Sequence, residues 1–209
     1  NESFLDSATI RENVVSLARN IGYVPRSRTA AKATVDLVIP STTAKDTIVL
    51  EEGLVCIGQE NNTNYIFSIP ESVTTTVNQG AAKFENLVVY QGTFLKKSFV
   101  VDASIRQKFL LDNPNIDTST IVVKVNEREY SYADNILSID KNSEIYLIQE
   151  VQDEKYEILF GDGLFGKKLN NEDVITVSYI VTDGENGNGG SLFYFAGKLT
   201  SGILGTVTP

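Results

Sequence analysis

Short runs rich in β-branched and aromatic residues recur along almost the whole chain after residue 31, and this pattern most constrains the fold. Each run alternates with turn residues such as Gly53, Gly58, Gly80 and Gly92. Many short strands separated by turn signals are typical of β sandwiches and barrels. The predicted strands are residues 33–39, 47–50, 54–57, 65–69, 84–90, 94–101, 120–125, 144–150, 156–160, 174–181 and 192–195.

In the first thirty residues the apolar positions recur with a different period. Residues 9–22 have an apolar stripe with the spacing of a helix, formed by Ile10, Val14, Leu17 and Ile21. Residues 26–31 are a candidate linker. The sequence therefore predicts a mainly β chain that is α+β at its N-terminus: a multi-stranded, sandwich-like β domain with an N-terminal helix.

A small inserted β subdomain is also predicted. A strand cluster ends near residue 101, and residues 112–117 are a dense turn signal containing Asn113 and Pro114. The predicted organisation is residues 1–30 as N-terminal helix and linker, residues 31–101 with 173–209 as the main β domain, and residues 102–172 as the insert.

Charge and residue types exclude several classes of function. The 209-residue chain has a formal net charge of −9, which repels nucleic-acid phosphates and anionic membranes. It contains no histidine, the commonest general base and metal ligand, and one cysteine. We therefore predict no enzyme activity, no cofactor and no metal site. Because the chain does not begin with methionine, we also expect it to be a piece of a longer protein.

Two local features allow a functional reading and a structural one. Cys56 lies in an apolar run, which favours a small core residue over a reactive thiol. Residues 183–190 are acidic and rich in glycine, but they lack the ligand spacing of a calcium loop. A flexible turn between strands is the favoured interpretation of that segment.

The most unusual local feature is a structural turn motif in residues 160–166. An apolar strand leads into Asp162 and Gly163, a pair suited to a tight turn because glycine tolerates positive φ. The segment lacks the Gly-Lys-Ser/Thr ending of a phosphate-binding loop. We predict that it shapes a hairpin and binds nothing; its motif positions are Phe160, Gly161, Asp162, Gly163 and Gly166.

This motif resembles the baseplate J-like family of contractile-tail phages. In that family a similar turn precedes a strand ending in tyrosine and a glycine-rich segment, matched here by Ile175, Tyr179, Gly184, Gly187 and Asn188. This chain departs from the pattern at Leu169 and Glu172, where many members have a proline and a glycine. Residues 2–9, 13–18 and 21–26 are similar to the helix that enters the family's domain. Residues 115–120 more narrowly resemble the long wedge subunit of the baseplate inner ring.

The resemblance implies a structural virion protein that dimerises, joins neighbouring wedge proteins and closes a ring in the tail baseplate. Assembly in the host cytoplasm is expected. The candidate assembly surface is the apolar stripe of Ile10, Val14, Leu17 and Ile21, which packs either on a partner or on this domain's own sheets. The alternative function is a cell-surface or fibre β domain acting as an adhesin or carbohydrate-binding module.

Overall fold

The structure is a computed structural model that describes residues 27–40, 47–60, 62–133, 139–151, 154–190 and 192–200. Within these ranges the chain is mainly β, as predicted from its short alternating runs. The predicted N-terminal helix at residues 9–22 lies outside the described residues. No described helix is long and apolar enough to cross a membrane.

Fifteen strands make up the described part of the chain, together with a short 3-10 helix at Gly184–Gly187. In chain order they are β1 (Lys32–Ile39), β2 (Thr47–Leu50), β3 (Gly53–Glu60), β4 (Thr63–Ile69), β5 (Val73–Asn78), β6 (Ala81–Gln91), β7 (Thr93–Val100), β8 (Phe109–Leu111), β9 (Ile116–Val125), β10 (Arg128–Tyr132), β11 (Ile145–Glu150), β12 (Tyr156–Phe160), β13 (Val174–Val181), β14 (Leu192–Phe195) and β15 (Leu199–Thr200).

The strands form two sheets. The eight-stranded sheet has the order β14-β3-β4-β6-β5-β2-β15, and β1 pairs with β6 beside that path. The seven-stranded sheet has the order β7-β13-β9-β10-β11-β12-β8. Its neighbours β10 and β11 run parallel, whereas β11 and β12 are antiparallel with Ile148 opposite Ile158.

The chain divides into two compact units. Among the described residues, the first unit comprises Ser27 and those within 97–118 and 123–177, and the second those within 28–96, 119–122 and 178–200. The division falls inside β7, β9 and β13, while the eight-stranded sheet belongs wholly to the second unit.

The second unit has a continuous apolar core under its sheet. Strand positions alternate between this core and solvent, as the period of two requires. Each fully buried aliphatic side chain contributes roughly 1.5–3 kcal/mol relative to exposure. The core residues are Leu37, Ile39, Ile48, Leu50, Val55, Cys56, Phe67, Ile69, Ala82, Phe84, Leu87 and Val89.

The first unit buries its own apolar residues, which include Leu111, Ile116, Val123, Ile158, Ile175 and Val177. Beside them is a chain of edge-to-face aromatic contacts. Phe109 contacts Phe99 and Phe160 with ring centroids 5.5 Å apart in each pair, and Phe160 contacts Tyr130 at 5.9 Å. Phe160 therefore fixes the end of β12, the strand that leads into the glycine-rich turn.

Candidate functional site

The turn at residues 160–166 is organised around the carboxylate of Asp162. Its Oδ1 accepts hydrogen bonds from the backbone N–H groups of Leu164, at 2.8 Å, and Phe165, at 2.9 Å. These two bonds stabilise the ionised form, so they lower the pKa of Asp162 below its usual value. The aspartate thus serves as an internal cap of the turn, and its Oδ1 is occupied by the turn's own backbone.

The glycines of the turn are required for two different reasons. Gly163 and Gly166 have φ values of +93° and +80°, a region that side chains disfavour. Gly161 is required by close packing, because a Cβ there would lie 2.1 Å from the carbonyl carbon of Gly166. The Gly163 N–H also donates to the Gly166 carbonyl at 3.1 Å, which closes the loop.

A neighbouring loop holds the turn from outside. The Gly166 N–H donates to the Asp140 carbonyl at 2.9 Å, and the Lys167 N–H donates to the Ser143 carbonyl at 2.8 Å. Lys167 Nζ also lies 2.6 Å from Glu144 Oε1, which raises the pKa of the lysine and lowers that of the glutamate. The turn is therefore braced by the neighbouring loop at Gly166 and Lys167.

The braced turn displays two large apolar side chains. Leu164 is 76% exposed and Phe165 is 61% exposed, among the largest values for apolar residues in the described part of the chain. The sequence motif identified the glycines and Asp162 but missed this display, because an isolated Leu-Phe pair looks like part of a core. Their position between two glycines in a turn was the available signal.

A cavity of about 380 Å³ lies beside the same turn. Gly161 and Lys168, which form an isolated β-bridge with each other, both line it. Apolar walls come from Phe109 and Leu159, and Ile105 lines it from the loop before β8. The turn therefore combines an apolar protrusion with an adjacent recess.

The thiol is buried, and the acidic groups of the described residues form no cluster suited to a metal ion. Cys56 is only 3% exposed, and burial raises the pKa of its thiol to about 12, which confirms the prediction of a core cysteine. No group of three or more His, Cys, Asp or Glu residues in the described ranges is arranged to hold a metal ion.

The acidic, glycine-rich segment at residues 183–190 contains the 3-10 helix and is tied to strand β6. Gln91 Nε2 donates to Asp183 Oδ2 at 3.2 Å, and Gln91 Oε1 accepts from the Thr182 hydroxyl at 2.7 Å. A Cβ on Gly187 would lie 2.5 Å from Gln91 Cγ, so this glycine permits close packing. The interpretation as a simple turn between strands therefore missed an ordered contact.

The predicted site residues fall into two groups. The turn residues lie together in the first unit, with the geometry given above. The candidate assembly surface of Ile10, Val14, Leu17 and Ile21 lies outside the described residues.

Comparison with known proteins gives two matches. Residues 95–183 match the family described as bacteriophage baseplate wedge protein gp6, third domain. The chain is also 24% identical to baseplate wedge protein gp6 of Enterobacteria phage T4 over 220 residues, which cover 96% of this chain and 33% of that protein. The chain thus spans about a third of the length of this curated relative.

These matches confirm the resemblance to a baseplate wedge subunit of contractile-tail phages. The similarity to a baseplate wedge protein supports a structural baseplate subunit. It does not favour the adhesin or carbohydrate-binding alternative.

Proposed function

We propose that this chain, as a relative of the baseplate wedge proteins, is a structural segment of a wedge subunit that mediates protein–protein assembly of the baseplate ring. The observation that carries the proposal is the similarity to a baseplate wedge protein along 96% of the chain. The match of residues 95–183 to the family described as the third domain of baseplate wedge protein gp6 agrees with it. The segment would act in the virion tail baseplate after assembly in the host cytoplasm.

A role without catalysis fits the chemistry of the residues. The sequence has no histidine, and its one thiol is buried with a raised pKa. The Asp162 carboxylate caps backbone N–H groups of its own turn. We propose that the turn residues Phe160, Gly161, Asp162, Gly163 and Gly166 have a structural role and that the chain is not an enzyme.

The proposed partners are other baseplate wedge proteins, with a homodimer or ring in the full-length protein. We propose that the main β domain is sandwich-like, with residues 102–172 as an inserted subdomain. We further propose that residues 9–22 form the predicted helix and that Ile10, Val14, Leu17 and Ile21 form an assembly surface. An isolated helix of this length is marginal in water, so its stripe needs a packing surface.

Co-expression with candidate wedge partners tests this function. The variant combines Val14→Asp with Leu17→Asp, which places two charges in the apolar stripe. We expect it to keep the melting temperature of the wild type but to lose co-purification with its partners. The control combines Ser16→Asp with Asn20→Asp, which adds the same charge at polar positions of the predicted helix and should retain binding.

Two outcomes would contradict the proposal. If the melting temperature collapses, the stripe belongs to the core of this chain and the assembly surface lies elsewhere. If the wild-type chain co-purifies with none of the wedge partners, the structural role itself is wrong.

A further inference from the structure

The chain contains four positions at which an aspartate or an asparagine precedes glycine. At such a position the backbone nitrogen of the glycine can attack the side-chain carbonyl carbon before it, because glycine has no Cβ to hinder the approach. The attack requires that the nitrogen is not engaged in another hydrogen bond and can turn toward the side chain. The fold therefore decides which position reacts. The four pairs are Asp162-Gly163, Asp183-Gly184, Asn186-Gly187 and Asn188-Gly189.

At the two aspartate positions a hydrogen bond holds the glycine nitrogen. The Gly163 N–H donates to the Gly166 carbonyl at 3.1 Å. The Gly184 N–H donates to the Thr182 hydroxyl at 3.0 Å. Each nitrogen would have to break its bond before it could attack, and breaking a hydrogen bond of the fold costs free energy. These two positions are therefore protected.

The first asparagine position is protected by the 3-10 helix and by packing. Gly187 is the last residue of this helix, in which each N–H donates to the carbonyl three residues earlier. Gly187 is also buried, and a Cβ on it would lie 2.5 Å from Gln91 Cγ. The Gly187 nitrogen therefore reaches the Asn186 side chain only if the helix opens.

The second asparagine position lacks both kinds of protection. Asn188 follows the 3-10 helix with an extended backbone, at φ −70° and ψ 133°, and both Asn188 and Gly189 are exposed. No group in the described part of the chain accepts a hydrogen bond from the Gly189 N–H. Rotation about the Cα–C bond of Asn188 therefore brings the Gly189 nitrogen to the side-chain amide without breaking a bond of that nitrogen.

A polar cavity of about 650 Å³ adjoins Asn188. Asn188 lines it together with two cations, of Arg28 and Lys32, and two carboxylates, of Asp183 and Glu185. A cavity of this size lined by polar groups holds water. Water is thus at hand for hydrolysis of a reactive group formed at Asn188.

We propose that Asn188 deamidates spontaneously, and that among the four positions it is the one that reacts while the protein is folded. The Gly189 nitrogen bonds to Asn188 Cγ and gives up its proton, while the Cγ–Nδ2 bond breaks and ammonia leaves with that proton. Water then opens the resulting succinimide ring at either carbonyl carbon, which gives aspartate or isoaspartate. The reaction needs only this chain and water, so it is independent of the proposed function.

The products differ from the starting chain in charge and in backbone length. Either one adds a negative charge to the net charge of −9 and brings a third carboxylate to the two that line the cavity. Isoaspartate also adds a methylene group to the backbone directly before Gly189, which lies against the Glu60 carboxylate. Deamidation therefore makes a cavity with balanced charges net acidic.

Peptide mapping by mass spectrometry tests the proposal on the purified, folded chain after incubation at mildly alkaline pH. Cleavage after Lys168 and Lys198 releases one peptide containing both asparagines, and its fragment ions assign the mass gain to one of them. We expect Asn188 to deamidate roughly tenfold faster than Asn186, because a hydrogen bond and close packing oppose local opening at Gly187. An isoaspartyl methyltransferase should label part of the product.

The same chain unfolded in urea is the matched control. Both asparagines precede glycine, so their rates should become similar once the 3-10 helix and its packing are lost. A difference present only in the folded chain is an effect of the structure.

Two variants identify the reacting residue. Asn188→Gln should abolish the fast deamidation, because the longer side chain would have to close a larger ring. Asn186→Gln makes the same change at the neighbouring position and should leave the rate at Asn188 unchanged. Both asparagines are exposed, so both variants should keep the wild-type melting temperature.

The proposal is overturned if Asn186 deamidates as fast as Asn188 in the folded chain, or if the two rates differ as much in urea as they do in the folded chain. It is also overturned if neither asparagine deamidates in the folded chain while both do in urea. Each of these outcomes leaves co-purification with wedge proteins, and hence the proposed function, unaffected.

Discussion

Single residues decide the shape of the 160–166 turn, and each does so by a different physical means. Phe160 anchors its start by edge-to-face contacts with Phe109 and Tyr130. The Asp162 carboxylate accepts hydrogen bonds from two backbone N–H groups for which a tight turn offers no backbone acceptor. Gly161 leaves room for the backbone of Gly166. Substituting any one of them removes a contribution that the other residues do not replace.

Gly161→Ala should destabilise the chain by about 2–3 kcal/mol, since its Cβ would overlap backbone atoms that cannot move aside easily. The control is Gly80→Ala, where φ is +76° but no atom lies within 4 Å of the new Cβ. That change should cost only about 1 kcal/mol, the strain of a left-handed alanine. Urea unfolding of both variants measures the difference, and equal costs would contradict a steric role for Gly161.

Glu52 predicts a pH dependence. Hydrogen bonds from Lys96, at 2.8 Å, and from the Ser72 hydroxyl lower its pKa from 4.5 to about 2. A lowered folded-state pKa stabilises the fold above the unfolded value, and this stabilisation is lost as the pH falls through the folded value. The contribution of Glu52 should therefore persist below pH 4.5 and disappear near pH 2.

Lys96→Gln should raise the pKa of Glu52 toward 4.5, so that its stabilisation is lost at a higher pH. A carboxyl NMR titration and unfolding curves between pH 2 and 5 measure the two effects. Lys198→Gln, which removes the 2.7 Å ion pair to the adjacent Glu51, is the control. If both variants shift the Glu52 titration equally, Lys96 is not the cause.

At the scale of elements, the β9–β10 hairpin contains a two-residue connection that departs from the preferred sequence. Val125 pairs with Arg128, and the intervening Asn126 and Glu127 have φ values of 49° and 64°. Two consecutive residues with positive φ define the turn type for which Asn-Gly is favoured. Glutamate at the second position is therefore strained.

Glu127→Gly should stabilise the chain by about 1 kcal/mol through relief of that strain, less the entropy gained by the unfolded glycine. Glu129→Gly, one strand position into β10, should destabilise it, because glycine weakens a strand interior. Thermal unfolding of the two variants would contradict the turn assignment if both changes lowered the melting temperature.

The strands show how far the sequence predicts local structure. Runs with several large apolar residues, such as β4 and β13, were predicted because they are rich in β-branched and aromatic residues. β5 was missed because its inward positions include threonine and it buries no residue completely. β8 and β15 are only three and two residues long, and their neighbours in the sheet define them. A local sequence pattern cannot predict strands that form only because a partner distant in sequence pairs with them.

One departure from the family's pattern lies at a strained backbone position. Glu172 has φ +67° at a position where many members of the baseplate J-like family have glycine. A side chain disfavours this left-handed conformation, at a cost of roughly 1–2 kcal/mol of strain.

At the scale of the whole molecule, the sequence identified the turn of the candidate site, whereas its cavity and its exposed side chains became evident only in the structure. The motif identified residues 160–166 from their turn chemistry alone. It could not identify the cavity, because the loop carrying Ile105 and the strand carrying Glu157 are separated by about fifty residues and meet only in the folded chain. Nor could it distinguish Leu164 and Phe165 from core residues, since hydropathy does not report which side of a surface a side chain occupies.

The buried state of Cys56 has a practical consequence for every experiment above. A maleimide added to the native protein finds no reactive sulfur, so labelling proceeds only through transient opening of the second unit's core. Modification should be slower than that of a free thiol by roughly 1,000-fold or more. Because the chain has a single cysteine, the labelling rate directly measures how often the core around Cys56 opens. Labelling at the rate of a free thiol would show that Cys56 is accessible in the native protein, contrary to its burial.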